Sequence, residues 1–282
     1  DNLDHNGRSA RSAVLGLAAR VSPDLVHRID VDWIDTSVDR ITPKVTAQDI
    51  AEVEARTGRH DLAPVVTELY TSWILSGGFR AERPRWERAG AVVVDDLAPF
   101  ARRKLWLLNG AHSLLAYAGL TRGHETVAAA IGAPECAALV EGLWDLDARH
   151  LRDGEAELDL DGYRDALISR FSNPAIAHRL SQIAVDGSVK LRSRVVDVIL
   201  LDRADGGDGD AGLRVLAEWI RHVRAEHLAG STLDDAAAVE ISARVTASAP
   251  ASALIEIVSP LLAADAEAMS RVEAMLDAPA SS

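Results

Sequence analysis

One stretch of the sequence, residues 99–120, constrains the fold more than any other. It reads PFARRKLWLLNGAHSLLAYAGL, and on a helix with about 100° between successive residues it is apolar on nearly every side beyond its first turn. A helix of this kind is stable only when other parts of the chain enclose it. The sequence therefore predicts a buried central helix over residues 99–118.

Three polar side chains interrupt this apolar helix on one flank, where they point into one apolar space. Counting from Lys104, regular helix geometry puts His112 at about 80° and Asn109 at about 140°, among leucine and alanine side chains. An amine loses hydration in such surroundings and its pKa falls, so Lys104 is a candidate general base. Asn109 is a candidate donor to an oxygen that becomes negative, and His112 is a candidate for orienting the lysine or a substrate hydroxyl.

A purely structural interpretation accounts for the same residues. In it, Lys104 extends to solvent, Asn109 ends a turn, and His112 is a hydrogen-bonded histidine of the core. Polar triples occur on many buried helices. The spacing by itself therefore favours the structural interpretation.

Other segments of the sequence favour the catalytic interpretation over the structural one. The run KLWLLNGAH, with its Lys-x4-Asn-x2-His spacing, resembles the catalytic helix of the mannitol dehydrogenase family, which comprises zinc-independent long-chain polyol and sugar-acid dehydrogenases. Four further segments agree with that family in the same order, and the resemblance extends from the first residue to about residue 219. They are DNLDHNG (1–7), VDRITP (38–43), VDDLAPF (94–100) and SNPAIAHRLSQIAVDGSVKL (172–191).

The resemblance implies catalytic roles for four residues. Lys104 is expected to be the general acid and base, while Asn109 and Asn2 hold the reacting oxygen and His112 orients it. The implied reaction is NAD(P)-dependent interconversion of a sugar alcohol or aldonate with its keto sugar or keto-acid. The alternative is a helical binding or assembly domain without activity of its own.

Three more residues are implied to bind substrate. Asp39, in the VDR segment, corresponds to a residue that lines the polyol site, and Lys190 corresponds to a lysine that reaches the substrate's hydroxyl or carboxylate end. Gln182 stands where some mannitol-specific members carry an arginine. The pattern QIAxDGSxKL is more similar to that of the hexuronate reductases of the family.

The resemblance also implies the cofactor and the fold. The cofactor is NAD or NADP, and no metal is expected because the nine histidines show no metal-ligand spacing. We expect a mainly α chain, with a helical bundle like the carboxyl-terminal domain of 6-phosphogluconate dehydrogenase over residues 77–282. Residues 1–76 are expected to be an α/β remnant of a Rossmann domain, most of which, with the cofactor contacts, would precede this chain.

Composition narrows the functional classes further. The 282 residues carry a formal net charge of −13, which repels phosphate backbones and anionic lipid, so neither nucleic acid nor membrane is expected as a partner. The expected partner is a small polyol, ketose or uronate, and the family resemblance favours a monomer or dimer. No apolar run approaches the roughly 20 residues of a membrane span. The single cysteine, Cys136, is typical of a cytoplasmic protein.

Local patterns predict the remaining elements. Helices are expected over 9–21 and 48–57. One or two strands are expected within HRIDVDWIDTSVDRITP at 27–43, and further strands over 64–74 and in AGAVVVDD at 89–96. Beyond the central helix, helical periodicity predicts helices over 123–130, 134–147, 159–171, 175–183, 190–202, 212–228, 233–247 and 252–276.

One glycine-rich motif is set aside. GDGDAG at 207–212 fits the dinucleotide pattern G-x-G-x-x-G, but its aspartates would crowd a pyrophosphate and helices surround it. We interpret it as a solvated loop between helices.

Overall fold

The computed structural model describes residues 2–151, 158–245 and 250–278. The chain forms two compact units. The first unit comprises residues 1–42 and 67–102, and the second comprises residues 43–66 and 103–282. Each unit is described below by itself.

The first unit is a small sheet with short helices. Strand order is β1-β2-β3, with β1 antiparallel to β2 and β2 parallel to β3. The elements are α1 (Asn6–Val21), α2 (Pro23–Arg28), β1 (Asp35–Asp39), β2 (Ser72–Ser76), a 3-10 turn (Trp86–Ala89), β3 (Ala91–Val94) and α4 (Ala98–Arg103).

The strands of this unit are shorter than the sequence-based prediction. Of residues 27–43, only β1 is a strand, and it begins at Asp35, where it pairs with the last residue of β2, Ser76. Most of residues 64–74 also lie outside any strand, since β2 begins at Ser72, opposite the end of β1. In both cases the length of the partner strand, and not β-propensity, sets the bounds.

Beyond the paired residues of β1 and β2, hydrogen bonds that involve side chains connect the adjoining segments. The Glu68 carboxylate accepts the Ile41 N–H at 2.6 Å, and the Glu68 N–H donates to the Ile41 carbonyl at 3.2 Å. At the opposite end of the β1–β2 pair, Arg80 forms ion pairs with Asp30 and Asp32. These contacts satisfy polar groups outside the three strands.

The second unit is helical. Its central helix continues from α4 through a π-helical segment, π1 (Lys104–Gly110), into α5 (Ala111–Thr121), so the predicted central helix is confirmed. The other elements are α3 (Ala47–Thr57), α6 (Val127–Ile131), α7 (Pro134–Leu151), α8 (Leu160–Phe171), a 3-10 turn (Pro174–Ile176), α9 (Leu180–Ala184), α10 (Gly187–Leu191), a second π-helical segment, π2 (Arg192–Val196), α11 (Asp197–Ala204), α12 (Asp210–Leu228), α13 (Ala238–Arg244), α14 (Ala251–Val258), α15 (Pro260–Ala263) and α16 (Ala266–Asp277).

The core of the second unit surrounds α5. Every residue of α5 from Ala111 to Gly119 is buried, and α5 packs against α12, α9, α7 and α6. Leu115 and Tyr117 have no exposed surface at all. This enclosure explains why residues 99–120 are apolar on nearly every side.

Two predicted helices are broken. Residues 175–183 do not form one helix, because Ala177 has a φ of 45° and the next residues bond to the strand-like segment before α6. Residues 252–276 form three helices, since Ser259 is extended before Pro260 and Asp265 caps α16 by accepting the Ala268 N–H. The helix predicted over 233–247 covers only α13, and residues 246–249 lie outside the described residues.

Two further expectations of the sequence concern loops and membranes. The GDGDAG stretch does connect two helices, α11 and α12, and its Gly209 N–H donates to the Asp202 carboxylate at 3.0 Å. Within the described ranges, no helix has the length and apolar character needed to cross a bilayer.

Candidate active site

The π-helical turn of the central helix changes the arrangement of its polar side chains. A turn closed by i to i+5 bonds advances about 80° per residue, against about 100° in an α-helix. Lys104 and Asn109, the first and sixth residues of π1, are therefore about 40° apart instead of about 140°. His112 falls about 40° on the other side of Lys104.

The angular prediction made from a regular helix is therefore wrong for this segment. Within one sector of about 80°, the helix presents an amine, an amide and an imidazole. Lys104 and Asn109 are partly buried, whereas His112 is 6% exposed. A regular helix also puts the three residues on one flank, within about 140°, and the π turn narrows that sector.

A widened turn needs hydrogen-bond donors from outside the helix, and π1 has two of them. The Trp144 indole N–H, from α7, donates to the Leu107 carbonyl at 2.7 Å. The Arg194 guanidinium, from π2, donates to the Asn109 carbonyl at 3.3 Å and to the Ser113 hydroxyl at 3.1 Å. These contacts satisfy backbone and side-chain acceptors of the helix where its regular bonding is disturbed.

His112 does not fit the interpretation of a hydrogen-bonded core histidine. Its Nε2 atom is buried and has no hydrogen-bond partner among the described residues. The ring lies 4.7 Å from the Phe171 ring and 5.2 Å from that of His178, nearly at right angles to the latter. Burial lowers the pKa of His112 well below its ordinary value, and nearby His178, Arg194 and Arg170 lower it further. The imidazole is therefore neutral near pH 7.

The DGS motif forms a turn between α9 and α10 that is held at both ends. The Asp186 carboxylate accepts the Ala236 N–H at 2.9 Å. The Asp235 carboxylate accepts the Ser188 N–H at 2.9 Å and also the Ser188 hydroxyl. The segment before α13 thus fastens the turn that leads into Lys190.

Gly187, at the centre of that turn, is required by close packing. A Cβ atom on it would lie 2.6 Å from the Tyr117 hydroxyl oxygen and 2.7 Å from the Trp219 indole nitrogen. Both of these rings are buried in the core. The motif therefore brings α10 directly against α5 and α12.

The two substrate-binding candidates of the second unit lie on the helices joined by this turn. Lys190 is half-buried in α10, and its Nζ donates to the Ile183 carbonyl at 3.3 Å. Burial lowers the pKa of Lys190, and the charge of Arg194 lowers it further. Gln182 is half-buried in α9, which packs against α5.

The remaining two candidates, Asn2 and Asp39, belong to the first unit. The Asn2 side-chain oxygen accepts the Val38 N–H at 2.9 Å, so Asn2 lies at the end of β1 that carries Asp39. Asp39 is the last residue of β1 and is 6% exposed. The fold of this unit therefore brings Asn2 close to β1 despite their separation in sequence.

The first motif, DNLDHNG, also contains residues whose role the sequence did not indicate. Asn6 exchanges two hydrogen bonds with the Thr36 backbone, at 2.6 and 3.0 Å. The Gly7 N–H donates to the Asp35 carboxylate at 2.7 Å, and a Cβ on Gly7 would lie 2.8 Å from the Ile34 backbone. Asn6 and Gly7 thus attach the start of α1 to β1 and thereby hold Asn2 in place.

Sequence reasoning also missed Arg194 and Trp144. The signal for Arg194 was a basic residue at the start of the apolar run VVDVILL, four residues after Lys190. Trp144 gave no signal beyond its size. No group of three or more His, Cys, Asp or Glu side chains in the described part of the chain is arranged to hold a metal ion.

Comparison with known proteins gives two family matches. Residues 96–278 match the family model of the mannitol dehydrogenase C-terminal domain, and residues 1–88 match that of the mannitol dehydrogenase Rossmann domain.

Individual relatives agree with these matches. D-mannonate oxidoreductase of Escherichia coli (strain K12) is 36% identical over 236 residues, covering 83% of this chain and 49% of the relative. Polyol:NADP oxidoreductase of Gluconobacter oxydans (strain 621H) is 36% identical over 194 residues, covering 68% of this chain and 40% of the relative. The chain spans about half the length of the curated relatives it matches.

A solved structure is similar over nearly the whole chain. Mannitol 2-dehydrogenase of Pseudomonas fluorescens, in a ternary complex with NAD and D-mannitol, superposes with a TM-score of 0.80 at 31% sequence identity. The superposition covers 98% of this chain and 58% of the solved one.

Proposed function

This chain belongs to the mannitol dehydrogenase family, and from that membership we propose that it is the substrate-binding and catalytic part of an NAD(P)-dependent oxidoreductase. The reaction interconverts a sugar alcohol or aldonate with its keto sugar or keto-acid. The observation that supports this proposal is the π turn, since helix geometry directs Lys104 and Asn109 only about 40° apart in it. The buried Nε2 of His112, which has no hydrogen-bond partner among the described residues, adds to that support.

The roles of these side chains follow from their chemistry. Lys104, as a neutral amine, takes the hydroxyl proton of the substrate during oxidation and returns it during reduction. Asn109 and Asn2 donate to the oxygen that becomes negative, and the neutral His112 orients that oxygen through its buried ring nitrogen. Asp39, Gln182 and Lys190 bind the remaining hydroxyls or a carboxylate.

The same donor set fits a nicotinamide cofactor. Amine, amide, imidazole and carboxylate groups bind substrate and move protons, but none of them accepts a hydride. The nicotinamide, when bound, supplies the hydride acceptor or donor. Support for NAD or NADP comes from the Rossmann-domain match of residues 1–88 and from the solved relative with NAD.

Several finer features are part of the same proposal. We infer that the helical unit is of the 6-phosphogluconate dehydrogenase C-terminal type and that the reaction needs no zinc. We also infer a cytoplasmic protein that acts as a monomer or dimer. The half-buried Lys190 and the similarity to a D-mannonate oxidoreductase favour a substrate with a carboxylate.

The test of this function is an assay of the intact protein with NAD and NADP. Oxidation of D-mannitol, D-arabinitol, D-mannonate and D-altronate, and reduction of ketoses and uronates, would be followed by the absorbance of the reduced nicotinamide. We expect turnover with at least one pair. Absence of turnover with every substrate and both cofactors would contradict the proposal.

The Asn109→Ala variant tests the assigned site. Losing one donor to a developing oxyanion lowers kcat by about 10² to 10³-fold. Gln48→Ala, which removes an exposed amide from α3, is the matched control and is expected to keep wild-type turnover. Near-normal kcat for Asn109→Ala would show that its amide does not stabilise the oxyanion.

A further inference from the structure

The Arg194 guanidinium is placed where a charge is costly. It is half-buried, and within the described residues its hydrogen bonds go to the Asn109 carbonyl and the Ser113 hydroxyl, not to a carboxylate. Burial lowers the pKa of Arg194. A buried cation without a counter-ion is normally avoided, so a fold that keeps one has a use for its donors.

The two ends of Arg194 approach neighbouring residues of π1. Its guanidinium reaches the Asn109 carbonyl, and its own backbone carbonyl lies 3.1 Å from where a Cβ of Gly110 would be. The two π-helical segments pack together at this point. Arg194 therefore limits how far the turn that carries Asn109 can rotate and how far it can move from π2.

That turn decides where the polar side chains point. If π1 relaxed to regular α-helical bonding, Asn109 would move from about 40° to about 140° away from Lys104. The amide would then point well away from Lys104, although it would stay within about 60° of His112. A donor that keeps the π bonding in place therefore keeps the Asn109 amide directed to the same side of the helix as Lys104.

We propose that Arg194 is a positioning residue that holds π1 in its widened form and so sets the direction of the Asn109 amide beside Lys104. This inference rests on the proposed function for its effect on turnover. Its effect on the structure of π1 is independent of any activity.

The first test is hydrogen exchange of the intact protein. In Arg194→Met, peptides covering residues 104–113 are expected to exchange at least about tenfold faster than in the wild type, because π1 loses an external donor. Arg192→Met is the matched control, since Arg192 lies in the same π segment and donates to the Ile257 carbonyl at 2.9 Å. Unchanged exchange in Arg194→Met, or equal acceleration in both variants, would overturn the proposal.

The second test is kinetic and separates positioning from general loss of stability. A displaced amide lowers kcat by about 10²-fold in Arg194→Met, with KM changed by less than about twofold. Arg194→Lys, which keeps one donor and the charge, is expected to recover most of kcat. Equal kcat in Arg194→Met and wild type would overturn the role in turnover, as would failure of Arg194→Lys to recover any activity.

The two tests distinguish the possible failures. If the wild type turns over no substrate, the proposed function fails, and hydrogen exchange still decides whether Arg194 holds π1. If the wild type is active but both variants match it in exchange and kcat, only the inference about Arg194 fails.

Discussion

Asp147 is a residue whose surroundings conflict with its charge. It lies in α7 without exposed surface, and neither carboxylate oxygen has a hydrogen-bond partner in the part of the chain that is described. Burial raises the pKa of Asp147 well above its ordinary value, and the charge of Arg164 opposes this only in part. The carboxyl therefore stays protonated in the folded protein at pH values where the unfolded chain is ionised.

The sign of the resulting pH dependence follows from linkage. A raised folded pKa gives full stability below the unfolded pKa of about 4, and stability is lost as pH rises above it. Asp147→Asn is isosteric and permanently neutral. We expect it to raise the free energy of unfolding at pH 7 by about 1 to 3 kcal/mol, and to have little effect near pH 4.

Urea unfolding at both pH values measures this effect. Asp145→Asn is the control, because Asp145 is on the same helix but exposed, 3.0 Å from Arg164. It is expected to bring no gain at pH 7. An Asp147→Asn protein that is less stable than the wild type at pH 7 would contradict the assignment of a buried neutral carboxyl.

At the scale of elements, two helical glycines of the second unit differ in the space around them. Gly187 begins α10 against the Tyr117 and Trp219 rings, whereas a Cβ on Gly142, within α7, would meet no atom within 4 Å. The first glycine serves packing between helices. The second only weakens its own helix.

These contacts predict opposite effects of the same substitution. Gly187→Ala is expected to lower the free energy of unfolding by about 1 to 3 kcal/mol, because the buried rings cannot move aside. Gly142→Ala is expected to raise it by about 0.5 to 1 kcal/mol through helix propensity. Chemical denaturation followed by tryptophan fluorescence compares the two, and a neutral or stabilising Gly187→Ala would mean that the turn is not tightly packed.

At the scale of the whole molecule, buried histidines shape the dependence of stability on pH. His112 and His222 are both buried, at 6% and 8% exposure. Burial lowers the pKa of each, and Glu226 opposes this for His222. A lowered folded pKa gives stability that is complete above the unfolded pKa of about 6.5 and is lost as pH falls below it.

We therefore expect the free energy of unfolding to fall by about 1 to 3 kcal/mol between pH 7 and pH 5. The double variant His112→Gln with His222→Gln is expected to show a flatter profile. The exposed pair, changed in His27→Gln with His227→Gln, is expected to keep the wild-type slope. Equal slopes in the wild type and the buried double variant would show that these histidines are not neutralised by burial.

Much of the architecture could be predicted from local patterns. The apolar run at residues 99–120 predicted the buried central helix, and helical periodicity predicted helices at the positions of α7 and α8. Periodicity is a property of neighbouring residues, so it can be recognised in the sequence alone. Strands over 64–74 and a single helix over 252–276 were wrong because pairing partners and a mid-segment break set those bounds.

The sequence by itself determined the membership of the chain in its family and the identity of the polar residues on the central helix, since both depend only on residue order. Tertiary structure alone decided that the helix widens into a π turn at Lys104–Gly110, which changes the directions of these residues. The π turn depends on donors from Trp144 and Arg194, which lie 37 and 85 residues away from the carbonyls they bind. The backbone acceptors of this turn are not all satisfied within its own segment, so the turn is stable only after distant parts of the chain have packed against it. No local sequence pattern therefore predicts it.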